Sequence, residues 1–254
     1  MTHGSLSTGI CGFDIGAEAN GIKTLWTSEI DPLRQDIIKW LLPKAKHYGD
    51  MRKIRKPKKV DIISFGFPCQ DISRANPFGK GIEGEKSGLW HEGWRIIRYC
   101  RPGYIIIENS PDLIRKGLTT ILTQLAIEGY NAEWHVISCK QFGMPHIRKR
   151  LFIVATHAQK KRMDKKQIQQ RGPIKKHRSE ETQKHIESER LPVWPRSDRV
   201  YDSTFWSEML TKFHSMDNGL PREIYNGLVA AAGDTVSPII TSWIFSRIKE
   251  KAIT

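Results

Sequence analysis

The stretch Val60-Asp61-Ile62-Ile63-Ser64-Phe65-Gly66-Phe67-Pro68-Cys69-Gln70 decides how this chain is read. Its β-branched start, Val60 to Ile63, has the character of a buried parallel strand, and Gly66 and Pro68 then end it. Cys69 therefore falls just past the carboxyl end of a strand, where open α/β sheets place their ligands. A proline fixes the backbone before it, and polar Gln70 and Asp71 follow. Two readings of Cys69 stand at this point: a buried structural cysteine, or a nucleophile held on a rigid turn. For a Pro-Cys dipeptide alone the first is the commoner.

The chain has 254 residues, enough for one large domain or a large domain plus a small one. A hydrophobic content of 39% supports a real core, and no apolar run approaches the ~18–20 residues of a membrane span. Met1-Thr2-His3-Gly4-Ser5-Leu6 lacks the basic and apolar segments of a signal peptide. Cys11, Cys69, Cys100 and Cys139 lie far apart, with no Cys-x-x-Cys pair and no matching histidine spacing. This argues against a zinc site or a disulfide framework and predicts a cytoplasmic protein without metal. Lys and Arg number 41 against 27 Asp and Glu, a formal charge of +14. So large an excess points to a polyanionic partner, nucleic acid before membrane, since no strongly basic amphipathic helix is evident.

On the amino side of the opening stretch, residues 3–31 read as strand, glycine-rich turn, helix, strand and acidic end. The turn is Thr8-Gly9-Ile10-Cys11-Gly12-Phe13-Asp14-Ile15-Gly16, whose glycines permit close approach of backbone N–H groups to a ligand. An ordinary βα turn would look the same. Ile22 to Thr27 forms the next strand, and Glu29 follows at the spacing where nucleotide-type folds put a carboxylate for ribose hydroxyls. Residues 33–42 predict a helix ended by Pro43. Lys44 to Lys59 is basic, and within it Asp50 is either a turn-forming cap or an acceptor for an adenine amino group.

On the carboxyl side, residues 71–90 carry Gly79, Gly81, Gly84 and Gly88 among charged residues and read as a lid loop. Trp90 to Cys100 predicts a helix, and Tyr104 to Ile107 a buried parallel strand that delivers Glu108 and Asn109 to the sheet edge of Cys69 and Glu29. A helix over 112–128, a strand over Trp134–Ser138, a loop over 141–145 and a strand over Leu151–Ala155 follow. Arg148 and Arg150 point to one side in extended chain, as a solvated edge or as part of a site. Composition shifts at Thr156. Residues 159–190 hold eleven Lys/Arg and five Asp/Glu with few large apolar residues, a solvated or disordered basic segment. From Leu191 to Phe213, tryptophans and prolines interleave with arginines, suiting a small irregular subdomain or a nucleic-acid surface. The tail, Gly233 to Pro238 and then Ile239 to Ile248, predicts a loop and an amphipathic helix.

In order and spacing these features resemble the DNA (cytosine-5)-methyltransferase family, in its short phage and bacterial form with a reduced target-recognition region. The resemblance rests on Phe67-Pro68-Cys69-Gln70, Glu108-Asn109, His146-x-Arg148-x-Arg150, Gly9-Ile10-Cys11-Gly12-Phe13-Asp14 with Glu29, and Gly233-Asp234-Thr235-Val236. It implies an α/β fold: a Rossmann-like S-adenosylmethionine-dependent methyltransferase sheet with a small irregular second domain. Residues 1–156 plus 225–254 would form the catalytic and cofactor-binding domain, and 157–224 the basic target-recognition region.

By the same resemblance Cys69 is the thiolate nucleophile that adds to carbon 6 of a flipped cytosine. Glu108 bonds ring nitrogen 3 and the exocyclic amine, Asn109 holds the surrounding loop, and Arg148 and Arg150 contact the base oxygen or orient Glu108. The cofactor, S-adenosyl-L-methionine, falls to Gly9, Gly12, Phe13, Glu29, Ile30 and Asp50, joined by Thr235 and Val236 if the C-terminal helix folds back beside the first strand. Cys11 stands where the family has glycine and is placed to crowd the cofactor; His146 replaces glutamine and Asp234 asparagine. Double-stranded DNA is the implied partner, with a restriction endonuclease as a possible companion, in a monomer. The competing readings are a weak or inactive DNA-binding relative and a transfer-RNA cytosine methyltransferase.

Overall fold

A computed structural model describes residues 1–68, 89–144, 147–158 and 235–253. Cys69, Gln70, most of the lid loop, His146, Asp234 and all but the first two residues of the 157–224 region lie outside the described residues. The described chain runs β1 (Thr2–Leu6), α1 (Gly12–Ala19), β2 (Lys23–Ser28), α2 (Pro32–Leu41), β3 (Lys46–His47), a 3-10 turn (Met51–Lys53) and β4 (Ile62–Phe65). It continues with α3 (Leu89–Cys100), β5 (Tyr104–Asn109), α4 (Leu113–Lys116), α5 (Leu118–Ile127), β6 (Tyr130–Ser138), a 3-10 turn (Cys139–Phe142), β7 (Lys149–His157) and α6 (Pro238–Ile253).

The seven strands form one sheet in the order β3-β2-β1-β4-β5-β7-β6. The first five are parallel, and β7 runs antiparallel to both β5 and β6. Strand order reverses between β1 and β4, so their carboxyl ends open a crevice at the switch point. Side chains alternate across the sheet as strand geometry requires. Ile63, Phe65, Ile105 and Ile107 enter one core with α3, while Ile62, Ile106, Phe152 and Val154 enter the other with α6. Covering both faces explains why these strands read as continuous apolar runs.

α1 and α6 meet through small residues. A Cβ on Gly12 would collide with the Val236 carbonyl, and one on Gly16 would collide with Thr241 Oγ1 and stand 2.7 Å from the Ser242 amide. Thr241 Oγ1 donates to the Gly12 carbonyl (2.8 Å), and Asn20 Nδ2 donates to the Ser242 carbonyl (2.9 Å). The C-terminal helix thus lies on the first helix, with Ile239, Ile240, Ile244, Phe245 and Ile248 buried.

Several elements differ from expectation. The helix predicted over 112–128 is two helices, because Gly117 takes an extended φ of 170° between α4 and α5 and lacks helix propensity. The loop predicted over 141–145 begins as a 3-10 turn, closed by a reciprocal Ser138–Gln141 capping box. β4 starts two residues after Val60, β6 starts four residues before Trp134, and α6 extends five residues past Ile248.

A polar cluster is sealed beneath the β1–α1 unit. His3 Nδ1 lies 3.0 Å from Thr24 Oγ1 and 3.5 Å from Asp14 Oδ1, and its Nε2 lies 2.8 Å from Ser64 Oγ. Phe245 packs edge-on against the imidazole at 5.3 Å. Burial lowers the His3 pKa to about 3 and raises that of Asp14 to about 7, opposed there by the Ser5 and Thr24 hydroxyls. Folded His3 holds a proton less tightly than in the unfolded chain, so its share of stability is lost as pH falls from its ordinary 6.5 towards 3. Asp14 has the opposite sign: its share is present below its ordinary 3.8 and is lost as pH rises towards 7.

Between those limits the two slopes offset each other, each worth about 1.4 kcal/mol per pH unit. Asp14→Asn is therefore expected to leave the His3 slope alone, so that denaturant stability climbs from pH 4 to 6.5 more steeply than in the unaltered chain. Equal slopes in the two proteins would overturn this account. Gly16→Ala is expected to lower the unfolding midpoint through overpacking of α1 on α6, at a cost of about 1–3 kcal/mol; an unchanged midpoint would count against that contact.

Candidate active site

A cavity of about 310 Å³ opens over the carboxyl ends of β1, β2, β4 and β5. Its walls include Gly9, Phe13, Glu29, Ile30, Asp50, Glu108, Asn109, Arg148, Arg150, Thr235 and Val236, all singled out from sequence. Gly12 and Cys11 are absent from its lining. Gly12 instead admits the backbone of Val236, so it shapes the cavity indirectly, by letting Thr235 and Val236 approach. Cys11 packs with Ile38 and Leu42 under α2, which corrects the expectation that it crowds the cofactor turn.

The β1–α1 turn is bent by left-handed residues: Ser7, Gly9 and Cys11 have φ of 50°, 61° and 68°. Glycine adopts that region freely, whereas serine and cysteine do so at a cost the surroundings must hold. The grip comes from β2. Thr8 N donates to the Ser28 carbonyl (3.0 Å), and Gly9 N donates to Glu29 Oε2 (2.8 Å). Glu29 Oε1 accepts from the amides of Ile30 (2.9 Å) and Asp31 (3.1 Å). The Gly9 N–H is thus directed at Glu29 rather than at a ligand, contrary to the reading of the turn as a cradle of free donors. Each carboxylate oxygen has two acceptor sites, so Glu29 retains acceptor capacity towards the cavity.

Around this carboxylate the wall changes character. Ile30 is 58% exposed, an apolar face at the rim. Asp50 caps the 3-10 turn by accepting from the Arg52 amide (3.0 Å) and pairs with its guanidinium (2.8 Å). Arg52 thereby holds the Asp50 carboxyl below its usual range. Of the two sequence readings of Asp50 the cap is observed, and its side chain also faces the cavity.

The other end is built by β4, β5 and β7. Glu108, the last but one residue of β5, has its side chain 13% exposed, and Arg150 Nε approaches its Oε1 at 3.0 Å as an ion pair. Burial raises the Glu108 pKa, and Arg150 and Arg148 pull against it. The arginines are therefore part of the site and not a solvated edge. Asn109 Nδ2 donates to the Phe67 carbonyl (3.0 Å), and its Oδ1 accepts from the Ser110 amide (2.8 Å). Phe67 packs on Phe65 and Trp90 at 5.3 and 5.6 Å. Asn109 and these rings hold the turn up to Pro68, which lines the cavity and is joined to Cys69 in sequence. A Cβ at Gly66 would stand 3.3 Å from Glu108 Oε2, so that glycine leaves room beside the acid.

Sequence reasoning did not single out Thr8, Ser28, Arg34, Met51 or Ser110, which also line the cavity. Adjacency to strand ends was the signal available for Thr8, Ser28 and Ser110, whereas Arg34 in α2 and Met51 in the 3-10 turn carried none. Among the described residues no group of three or more His, Cys, Asp or Glu side chains could hold a metal ion, and no helix is long and apolar enough to cross a membrane.

Comparison with known proteins places this geometry. Residues 1–250 match the family model of C-5 cytosine-specific DNA methylases. The Type II methyltransferase M2.BsuMI of Bacillus subtilis is 34% identical over 164 residues, covering 60% of this chain and 41% of that protein. M.Bsp6I of a Bacillus species is 33% identical over 159 residues, covering 59% and 50%. The chain therefore spans half or less of these curated relatives. Among solved structures, a Spodoptera frugiperda DNMT2 variant superposes with a TM-score of 0.52 at 17% identity, over 61% of this chain and 50% of that one, a likeness of fold. With the family model matched across nearly the whole length, the chain belongs to the C-5 cytosine-specific DNA methylase family.

Proposed function

We propose that the chain methylates carbon 5 of cytosine in double-stranded DNA, using S-adenosyl-L-methionine and a covalent adduct on Cys69. The observation that carries this is one cavity bordered by Glu29 and Ile30 at one end and by Glu108, Arg150 and the Phe67-Pro68 turn at the other. The residues fit the cofactor: Glu29 keeps one acceptor site, on Oε2, for a ribose hydroxyl, Ile30 offers an apolar face to an adenine, and Asp50 stands nearby for its amino group. Phe13, Thr235 and Val236 close the remaining side. When bound, the sulfonium supplies an electrophilic methyl group.

This chain's own residues would prepare the base. A cytosine must leave the duplex, at a cost of a few kcal/mol, to enter the cavity. Cys69, as thiolate, adds to carbon 6 and gives carbon 5 the electron density to take a methyl group. Carbon 5 then gives its proton to solvent water, and the electron pair of that bond forms the 5,6 double bond and expels the cysteine as thiolate. Glu108 favours the step through its raised pKa. In its protonated form it donates to ring nitrogen 3 while its carbonyl oxygen accepts from the exocyclic amine. Arg150 braces that carboxyl. Residues 157–224 would read the DNA, with phosphate contacts by their lysines and arginines. The packing of α6 on α1 supports joining 225–254 to residues 1–156. The relatives' designation as Type II methyltransferases supports a restriction–modification setting, and we take the protein to act as a cytoplasmic monomer.

Transfer of labelled methyl groups to duplex DNA tests the reading, with transfer RNA as competitor. Cys69→Ser is expected to bind DNA and cofactor yet transfer nothing; undiminished transfer would remove the mechanism, and transfer confined to RNA would change the substrate. Glu108→Gln keeps both hydrogen bonds but cannot deliver a proton. Its turnover is expected to fall by about 10²–10⁴-fold with DNA binding kept, and its rate should lose the decline that the unaltered chain shows as pH rises through the Glu108 pKa. Arg150→Ala should move that pKa further up in a carboxyl NMR titration, and a downward move would contradict the pairing.

A further inference from the structure

The connection between the 3-10 turn and β4 reads Met51-Arg52-Lys53-Ile54-Arg55-Lys56-Pro57-Lys58-Lys59-Val60. Its burial has a period of three. Met51, Ile54, Pro57 and Val60 are buried, and the six residues between them are exposed and are all lysine or arginine. Met51, Ile54 and Val60 join the core beside α3. Side chains of the domain also grip its backbone. Arg95 donates to the carbonyls of Ile54 (2.8 Å) and Met51 (3.2 Å), and Trp26 Nε1 donates to that of Lys58 (2.7 Å).

Runs of like charge ordinarily repel into disorder, and solvating surfaces intersperse both signs. This one is anchored and has no acidic residue from Met51 to Val60. Arg52 is paired with Asp50, whereas Lys53, Arg55, Lys56, Lys58 and Lys59 have no carboxylate partner among the described residues. Lys59 instead lies 6.0 Å from the ring centre of Tyr99. Five cations without a carboxylate partner among the described residues, on a fixed backbone, form a surface built for a polyanion.

We propose that this strap is a phosphate-contact surface for double-stranded DNA on the catalytic domain itself, separate from residues 157–224. The inference rests on the DNA-methylating function proposed above. Its chemistry selects among polyanions. Every apolar side chain of the strap faces inward, leaving nothing to insert into a lipid surface. The strap itself has no aromatic residue, and Tyr99 beside Lys59 is a single ring, too few to stack a run of unpaired bases. Only cations face outward, and these bind the phosphate backbone without reading sequence. The strap starts at Met51, on the cavity wall, so duplex lying along it would be continuous with the site.

The test compares the full chain with a variant carrying Lys53→Gln, Arg55→Gln, Lys56→Gln, Lys58→Gln and Lys59→Gln. A second variant exchanges lysine for arginine and arginine for lysine at the same positions. Binding of a mixed-sequence duplex of about 30 base pairs is followed by anisotropy at several salt concentrations. The glutamine variant is expected to bind at least tenfold more weakly at low salt. Its plot of log affinity against log salt should be shallower by about 0.9 for each phosphate that is no longer neutralised, with cofactor affinity and unfolding midpoint unchanged. The charge-keeping variant should match the unaltered chain, and Arg55→Gln with Lys56→Gln alone should show part of the weakening. If the unaltered chain binds duplex and the glutamine variant binds it equally with the same slope, the strap has no such role while the enzymatic reading stands. If the unaltered chain binds no duplex, both are overturned. A weakening seen only with single-stranded RNA, or only with phosphatidylserine vesicles, overturns the choice of partner.

Discussion

The close approach of α1 and α6 governs the rest of this molecule. Two helices meet at Gly12 and Gly16, where a methyl group would strike Val236 and Thr241. That contact joins residues more than two hundred positions apart and draws Thr235 and Val236 to the cavity wall. It also seals His3 and Asp14 under Phe245, where their pKa values are driven in opposite directions. A side chain at either glycine would move the helix outward, opening the polar cluster and withdrawing one wall of the cavity together.

Two carboxylates at one sheet edge show how environment assigns different work to the same functional group. Glu29 accepts from three backbone amides, which brace the turn between β1 and α1. Glu108 lies largely buried, which holds its proton more tightly, while Arg150 and Arg148 pull the other way. The first arrangement suits a fixed hydrogen-bond acceptor in the proposed cofactor site, and the second suits a group that can donate to a ring nitrogen. Asn109, adjacent to Glu108 in sequence, fixes the Phe67 carbonyl and so ties the acid to the turn that leads into Cys69. The Phe67 carbonyl and the Glu108 carboxyl are thus held by neighbouring residues at the end of β5.

The positive charge of the chain is distributed with similar economy. Part of it is neutralised at the site, by Arg150 on Glu108 and by Arg52 on Asp50. Another part is displayed on the strap between Met51 and Val60, where the core and the hydrogen bonds of Arg95 and Trp26 offset the repulsion. A net charge of +14 reports the sum alone; only the burial of every third residue separates the displayed charges from their apolar anchors.

Local pattern was enough to read the buried strands around Ile62 and Ile106, the glycine turn, and the order of Glu29, Glu108, Asn109 and the arginines at one edge. Such features are written in the spacing of neighbours along the chain, which fixes the face and the end of a strand on which a residue falls. The break at Gly117 and the capping box at Ser138 needed the folded chain, because local propensity competes there with packing. So did the roles of Gly12 and Cys11. In sequence both belong to a cofactor turn, yet one admits a distant helix and the other fills the space under α2. The Gly9 amide is likewise turned to Glu29, twenty residues on. Close approach, burial and pKa depend on which surfaces meet across the core, and those meetings are absent from any single stretch of the chain.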